Sequence, residues 1–193
     1  ADVTGVQTCA LRSGFTPIDP DSAVAWAAAG APTTGRSHRF KWKLESPDED
    51  VGGSGRVRIS PPDSLHLVMA GPLGAKRTTG VVVGDSMLWA TRDEVLDRII
   101  PAYPLLWAMV GITRPVARGS VSRVMADSSS AAWEVMVGAD TVEYVRRAGP
   151  APSLTALVRS AGRLIGRVET RYDSTGAPRS SRLYVPDGPS RLE

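Results

Sequence analysis

Two histidines, one cysteine and one acidic triplet are where reactive chemistry would have to begin in this 193-residue chain. His38 and His66 stand in no metal-ligand spacing, and neither lies beside Cys9, so a zinc site is not expected. Gly52-Gly53-Ser54-Gly55 lacks the glycine spacing of a nucleophile elbow, and a turn or bulge leading into a strand accounts for its glycines more simply. Asp48-Glu49-Asp50 carries enough charge for a cation, but an acidic triplet in a loop is more often a solvated turn. There is no phosphate-binding loop and no paired dinucleotide glycines. An enzyme needs a convergent set of acid, base or nucleophile groups, and this sequence offers few, so an esterase-like enzyme stands as the last of the readings. The expected function is non-enzymatic, with no cofactor and no metal.

What the sequence does supply is apolar side chains at regular spacing. Phe40, Trp42 and Leu44 fall on one face of a strand over Arg39 to Leu44, with Arg39, Lys41 and Lys43 on the other. From Val51 to Thr91 the chain predicts consecutive short antiparallel strands. Arg56 to Ile59 alternates charged and apolar residues, and Pro61-Pro62-Asp63 breaks the run. Leu65, Leu67 and Met69 then share a face, Gly71-Pro72-Leu73-Gly74 turns the chain, Lys76 to Val83 is rich in Thr and Val, and Gly84-Asp85 makes a hairpin turn into Ser86 to Ala90. Glu45 to Gly53 reads as the loop entering this meander. Strand patterns resume at Val121 to Ala126, Ala132 to Val137, Thr141 to Arg147, Leu154 to Val158, Leu164 to Tyr172 and Ser181 to Val185.

Two segments read as helix. Pro20-Asp21-Ser22 offers a start for an alanine-rich stretch, Ala23 to Ala29, which Gly30 and Pro32 end. After Thr91 the period changes, and Val95, Leu96, Ile99 and Ile100 make one apolar helical face before Pro101. The uncharged run from Ile99 to Ile112 is too short, and too interrupted by Pro101 and Pro104, to cross a membrane. It reads either as a helix buried against the sheet or as a movable cap over an apolar cavity. About ten strands, each roughly half apolar, imply a mainly β (α+β) fold whose large antiparallel sheet curls around an interior.

Length and a hydrophobic content of 42% suit one domain with one core, over residues 14–193. The 23 basic and 20 acidic residues are spread along the chain, so the net charge of +3 predicts no nucleic-acid partner. Arg39, Lys41, Lys43, Arg56 and Arg58 make either the wet side of a sheet or a docking patch for anionic lipid or an acidic partner. One cysteine allows no intramolecular disulfide. The opening Ala1 to Leu11 resembles a translated short-read sequencing adaptor, with Arg12-Ser13 following after a single-base slip. Residues 1–13 are therefore expected to be a non-native leader that packs against nothing. The rival is a mature lipoprotein acylated at Cys9, although no apolar secretion stretch precedes it. Ser190 to Glu193 begins a strand without a turn or stop, so the chain is expected to be cut short there.

The order of helix, charged-apolar strand, Gly55-Arg56-Val57-Arg58-Ile59-Ser60-Pro61-Pro62-Asp63-Ser64-Leu65-His66-Leu67, Gly71-Pro72-Leu73-Gly74 and Gly84-Asp85 resembles the LolA/LolB superfamily of outer-membrane lipoprotein carriers and receptors, the LolB-like branch more closely. Gly166-Arg167-Val168 through Tyr172 to Pro178 resembles that family's closing hairpin. The resemblance implies a single open antiparallel half-barrel with helices capping its mouth, and an apolar concavity that shelters acyl chains of lipoproteins or lipids in the periplasm. An outer-membrane surface or envelope protein would be a further partner, and the native N-terminus would carry the anchor if there is one. The interior residues expected to bind lipid are Phe40, Trp42, Val57, Ile59, Leu65, Leu67, Met69, Val81, Trp89 and Trp133, with Leu106 and Trp107 at the mouth. The alternative is an envelope scaffold with a fully packed barrel that binds protein on its surface.

Overall fold

Asp19 starts the first helix. Its backbone is extended, its carboxylate accepts the Asp21 backbone N–H at 2.8 Å, and Pro20 fills the first helical position, where a missing N–H costs nothing. This helix, α1 (Pro20–Gly30), turns Ala23 and Ala27 inward, and alanine lets it lie close to the sheet. The computed structural model describes residues 15–46, 50–74, 77–84, 86–89, 101–114, 118–186 and 191–192. The expected helical face over Val95 to Ile100, the leader 1–13 and the acidic residues Asp48 and Glu49 lie outside them.

The strands are β1 (Thr16–Pro17), β2 (Arg36–Glu45), β3 (Asp50–Ser60), β4 (Ser64–Ala70), β5 (Thr78–Val83), β6 (Ser86–Trp89), β7 (Val121–Ala126), β8 (Ser130–Val137), β9 (Asp140–Arg147), β10 (Ser153–Ser160), β11 (Arg163–Tyr172), β12 (Pro178–Tyr184) and β13 (Arg191–Leu192). A second helix, α2 (Tyr103–Met109), lies between β6 and β7 in the chain. The strands form one antiparallel sheet in the order β1-β7-β8-β9-β10-β11-β12-β13-β2-β3-β4-β5-β6. The fold is therefore mainly β, an open half-barrel with helices on its concave side. Two meanders, β2 to β6 and β7 to β12, are joined through the two residues of β13, which pair with Leu183 on one side and with Leu44 and Glu45 on the other.

Short hairpins set the registers. Between β10 and β11, Ala161 and Gly162 both have positive φ, 48° and 80°, the combination that matches the twist of the flanking strands. Inward residues of both meanders meet α1 and α2 in one core, with Trp133 between Trp26 of α1, at 5.7 Å, and Tyr144 of β9, at 5.5 Å. Helix α2 packs on β10, β11 and β12, and four consecutive residues, Leu105 to Ala108, are buried. Its middle is enclosed by protein, which an uncharged segment permits, while Tyr103, Pro104 and Met109 stay partly exposed. No helix among the described residues is long and apolar enough to cross a membrane.

One expectation about β3 needs correction. Gly52 to Gly55 is neither turn nor bulge: β3 already pairs with β2 from Asp50, and the register runs unbroken from Glu45↔Asp50 to Arg36↔Ile59. The glycines are there for space. A Cβ on Gly53 would meet Trp42 Cε2 at 2.8 Å, and one on Gly55 would run into the Phe40 ring and, at 2.7 Å, the Val68 carbonyl oxygen.

Candidate functional site

The inward face of β2 starts the site. Phe40 and Trp42 lie over the bare backbone of Gly55 and Gly53, their cross-strand partners, with both aromatic rings in the space that side chains there would take. The Trp42 indole N–H donates to the Ala70 carbonyl at 3.2 Å, which fixes the ring across β3 and onto β4. Val57, Leu67 and Met69 are buried beside them, with Val57 directly opposite Leu67.

Helix α2 supplies the other wall through Leu106, Met109 and Val110. Its N-cap residue, Ala102, makes no side-chain hydrogen bond, and at the opposite end its last carbonyls are held by hydroxyls from the sheet. Thr170 donates to the Ala108 carbonyl at 2.6 Å, Ser181 to the Met109 carbonyl at 2.6 Å and Tyr172 to the Gly111 carbonyl at 2.9 Å. The Thr170 and Ser181 hydroxyl oxygens are also 2.7 Å apart. Two hydroxyl protons serve three short contacts, so any one proton arrangement makes only two of them hydrogen bonds. Burial raises the Tyr172 phenol above its ordinary value, keeping it a donor.

Between these walls lies a concavity of about 550 Å3, bordered also by His38 to Lys43 and by Pro178 to Ser181. That volume falls within the roughly 300–1,000 Å3 of small-molecule sites. Its floor is aliphatic and aromatic and its rim is cationic. Lys43 is tied to Glu45 and Asp50 at 3.0 and 3.1 Å, and those hydrogen bonds, Glu45 first, hold its ammonium above the usual lysine range. Among the described residues Arg39 and Lys41 have no acidic partner.

Six of the residues expected to bind lipid border this space: Phe40, Trp42, Val57, Leu67 and Met69 from the interior set, and Leu106 from the mouth. Ile59 and Leu65, paired across β3 and β4, are sealed in the core below it. Trp133 is sealed in the other meander. Trp107, expected at the mouth, is 1% exposed and is held by the core: its indole N–H donates to the Gly84 carbonyl at 3.3 Å, and the Arg114 guanidinium lies 5.5 Å from its ring. Val81 is a correction, being 37% exposed while Val82 is 1% exposed. Leu65↔Val82 and His66↔Val81 pair across β4 and β5, which puts Val82 on the Leu65 face and Val81 outside. Trp89 pairs with Gly80 through its backbone, and its side chain lies outside the described residues.

Met109 and Val110 belong to the site but were not among the residues expected to bind lipid, although they follow Leu106 at helical spacing three and four residues on. Thr170, Ser181 and Tyr172 carry no local signal of their role. In comparisons with family models, curated proteins and solved structures the chain matches none. The fold and the cavity define an open antiparallel half-barrel with an apolar concavity.

Proposed function

We propose that the protein is a non-enzymatic binder of acyl chains, those of lipoproteins or of free lipids, and that it serves lipoprotein or lipid transport to the outer membrane from the periplasm. The observation that carries this reading is the wall of the concavity: Phe40, Trp42, Val57, Leu67, Met69, Leu106, Met109 and Val110 present apolar groups around a space of about 550 Å3. Each methylene taken from water into such a space gains about 0.8 kcal/mol, so a partial acyl chain suffices for binding without polar contacts. The cationic rim suits a carboxylate or phosphate head left outside. The resemblance to LolA/LolB carriers and receptors points the same way.

The test is displacement of a fluorescent fatty acid, with mass spectrometry of solvent extracts from protein expressed in its own compartment. Val110→Trp fills the cavity from a half-buried position and should weaken uptake by an order of magnitude or more while leaving the unfolding midpoint nearly unchanged. The second reading, an envelope scaffold, draws on the full burial of Ile59, Leu65, Trp107 and Trp133, residues otherwise expected to face a ligand. Absence of both uptake and extracted lipid would put the scaffold in place of the carrier.

A further inference from the structure

The two meanders carry opposite charge patterns on their outer faces. On β7 to β12 each glutamate meets an arginine: Glu134 meets Arg123 at 3.4 Å, Glu143 meets Arg159 at 3.8 Å, and Glu169 meets Arg171 and Arg167 at 3.1 and 3.8 Å. On β2 to β5 the cations stand without such partners. Arg39 lies directly across from Arg56, and Arg58 lies between Ser37 on β2 and His66 on β4, all of them exposed. The only carboxylates in β2 to β6 are Glu45 and Asp50, at the opposite end of the ladder, where both hold Lys43. Among the described residues no acid pairs with Arg39, Arg56 or Arg58.

Like charges directly opposite each other destabilise a sheet, and nothing on this face offsets the cost. Arg56 and Arg58 belong to β3, which β2 and β4 flank on either side, so the strand neighbours of both are all described. Beside the cations the same face turns apolar. Val81 lies across from His66 and Val83 follows it on β5, 37% and 48% exposed, and Val68, opposite Arg56, is half-buried. We infer that the outer face of β2 to β5 docks the protein on the surface of an anionic lipid bilayer.

Charge complementarity selects the partner, and the valines narrow it. A bilayer surface offers phosphates at any lateral spacing, so it meets Arg39, Arg56 and Arg58 together, and it offers an apolar layer just beneath them for Val81 and Val83. An acidic protein would satisfy the arginines but would need an apolar patch of its own in register with the valines. The inference goes beyond acyl-chain binding, because Arg56, Arg58, His66, Val81 and Val83 lie outside the wall of the concavity.

Flotation of the whole chain with vesicles of phosphatidylcholine, or of an equal mixture of phosphatidylcholine and phosphatidylglycerol, tests it. The protein should float with the mixed vesicles and not with the neutral ones, and high salt should release it. Each cation near an anionic surface strengthens binding about fivefold, so Arg56→Gln with Arg58→Gln should weaken it about thirtyfold. The unfolding midpoint of that variant should hold or rise, since Arg39 loses a like charge opposite it. Arg167→Gln with Arg171→Gln takes the same net charge from the neutralised face and should change binding little, whereas Val81→Thr with Val83→Thr should weaken it severalfold. Docking is overturned if neutral vesicles bind as well, if the two arginine pairs weaken binding equally, or if no vesicle binds; polyglutamate bound in their place would assign the face to an acidic protein. Val110→Trp, which blocks the concavity, should dock as before, and the Arg56, Arg58 variant should take up fatty acid as before. Loss of docking in Val110→Trp would show that vesicles are held through acyl-chain uptake and not through this face.

Discussion

The Phe40 ring occupies the space that a side chain on Gly55 would need. The two residues are directly paired across β2 and β3, and a Cβ at Gly55 would also come within 2.7 Å of the Val68 carbonyl oxygen, a backbone atom that cannot swing away. Gly55→Val should therefore destabilise the protein by about 1–3 kcal/mol, the usual result of overpacking, despite the better strand propensity of valine. The urea midpoint measures it. A midpoint unchanged or raised would show that Phe40 has another place to go, and the wall of the concavity would not be fixed as described.

Trp107 makes a different demand. At 1% exposure, with its indole N–H on the Gly84 carbonyl, it is a core residue of α2 and not a gate. Trp107→Ala should cost about 3–5 kcal/mol, while fatty-acid release from the protein that remains folded stays as before. Trp107→Phe keeps most of the packing and gives up one hydrogen bond, about 0.5–1.5 kcal/mol. Faster release with little loss of stability would instead make α2 a moving cap.

The strands with one wet face were plain in the sequence. Phe40, Trp42 and Leu44 against Arg39, Lys41 and Lys43, and Leu65, Leu67 and Met69 against His66, alternate because burial differs between the faces. Val81-Val82-Val83 has no such contrast, so its inward residue was decided by pairing with β4 and not by anything local. Gly52 to Gly55 looked like a turn because glycine weakens a strand, and the reason to have it there, two rings from β2, is a cross-strand fact. The start of a strand at Ser190 was legible, but the strands it joins were not. That closure depends on Leu44 and Leu183 both pairing with Leu192, residues far apart in the chain.

Glu143 carries a pH dependence. Its side chain is 4% exposed, neither carboxylate oxygen has a hydrogen-bond partner, and the nearest cation, Arg159, is 3.8 Å away. Burial pushes the carboxyl above its ordinary 4.5; Arg123 and Arg159 pull it part of the way back, and Glu134, directly opposite on β8, pushes it up. The folded state thus holds this proton to higher pH than the unfolded chain does. The associated stability is complete below 4.5 and is lost as pH rises through the raised value. Glu143→Gln no longer titrates, so its stability relative to the parent should improve from pH 4 to pH 8. Urea midpoints at several pH values measure the gap, and a gap independent of pH would mean that the carboxylate is solvated in the folded protein.

The position of α2 rests on Thr170. Its hydroxyl reaches the Ala108 carbonyl at 2.6 Å and lies 2.7 Å from Ser181, which in turn donates to the Met109 carbonyl at 2.6 Å. Thr170→Val keeps the shape and removes the hydroxyl. The Ala108 carbonyl then loses its side-chain donor but keeps the Gly111 backbone N–H at 2.9 Å, so the change should cost about 0.5–1.5 kcal/mol. Ser181 keeps its proton for Met109 and no longer has a second oxygen facing it, so its own bond should survive. Ser181→Ala should be milder, because Ser181 is only partly buried and water can replace it at Met109. Since Met109 and Val110 line the concavity just beyond this clamp, Thr170→Val should also speed release of a bound fatty acid. Loss of stability without any change in release would show that the hydroxyl clamp supports the fold but does not shape the wall.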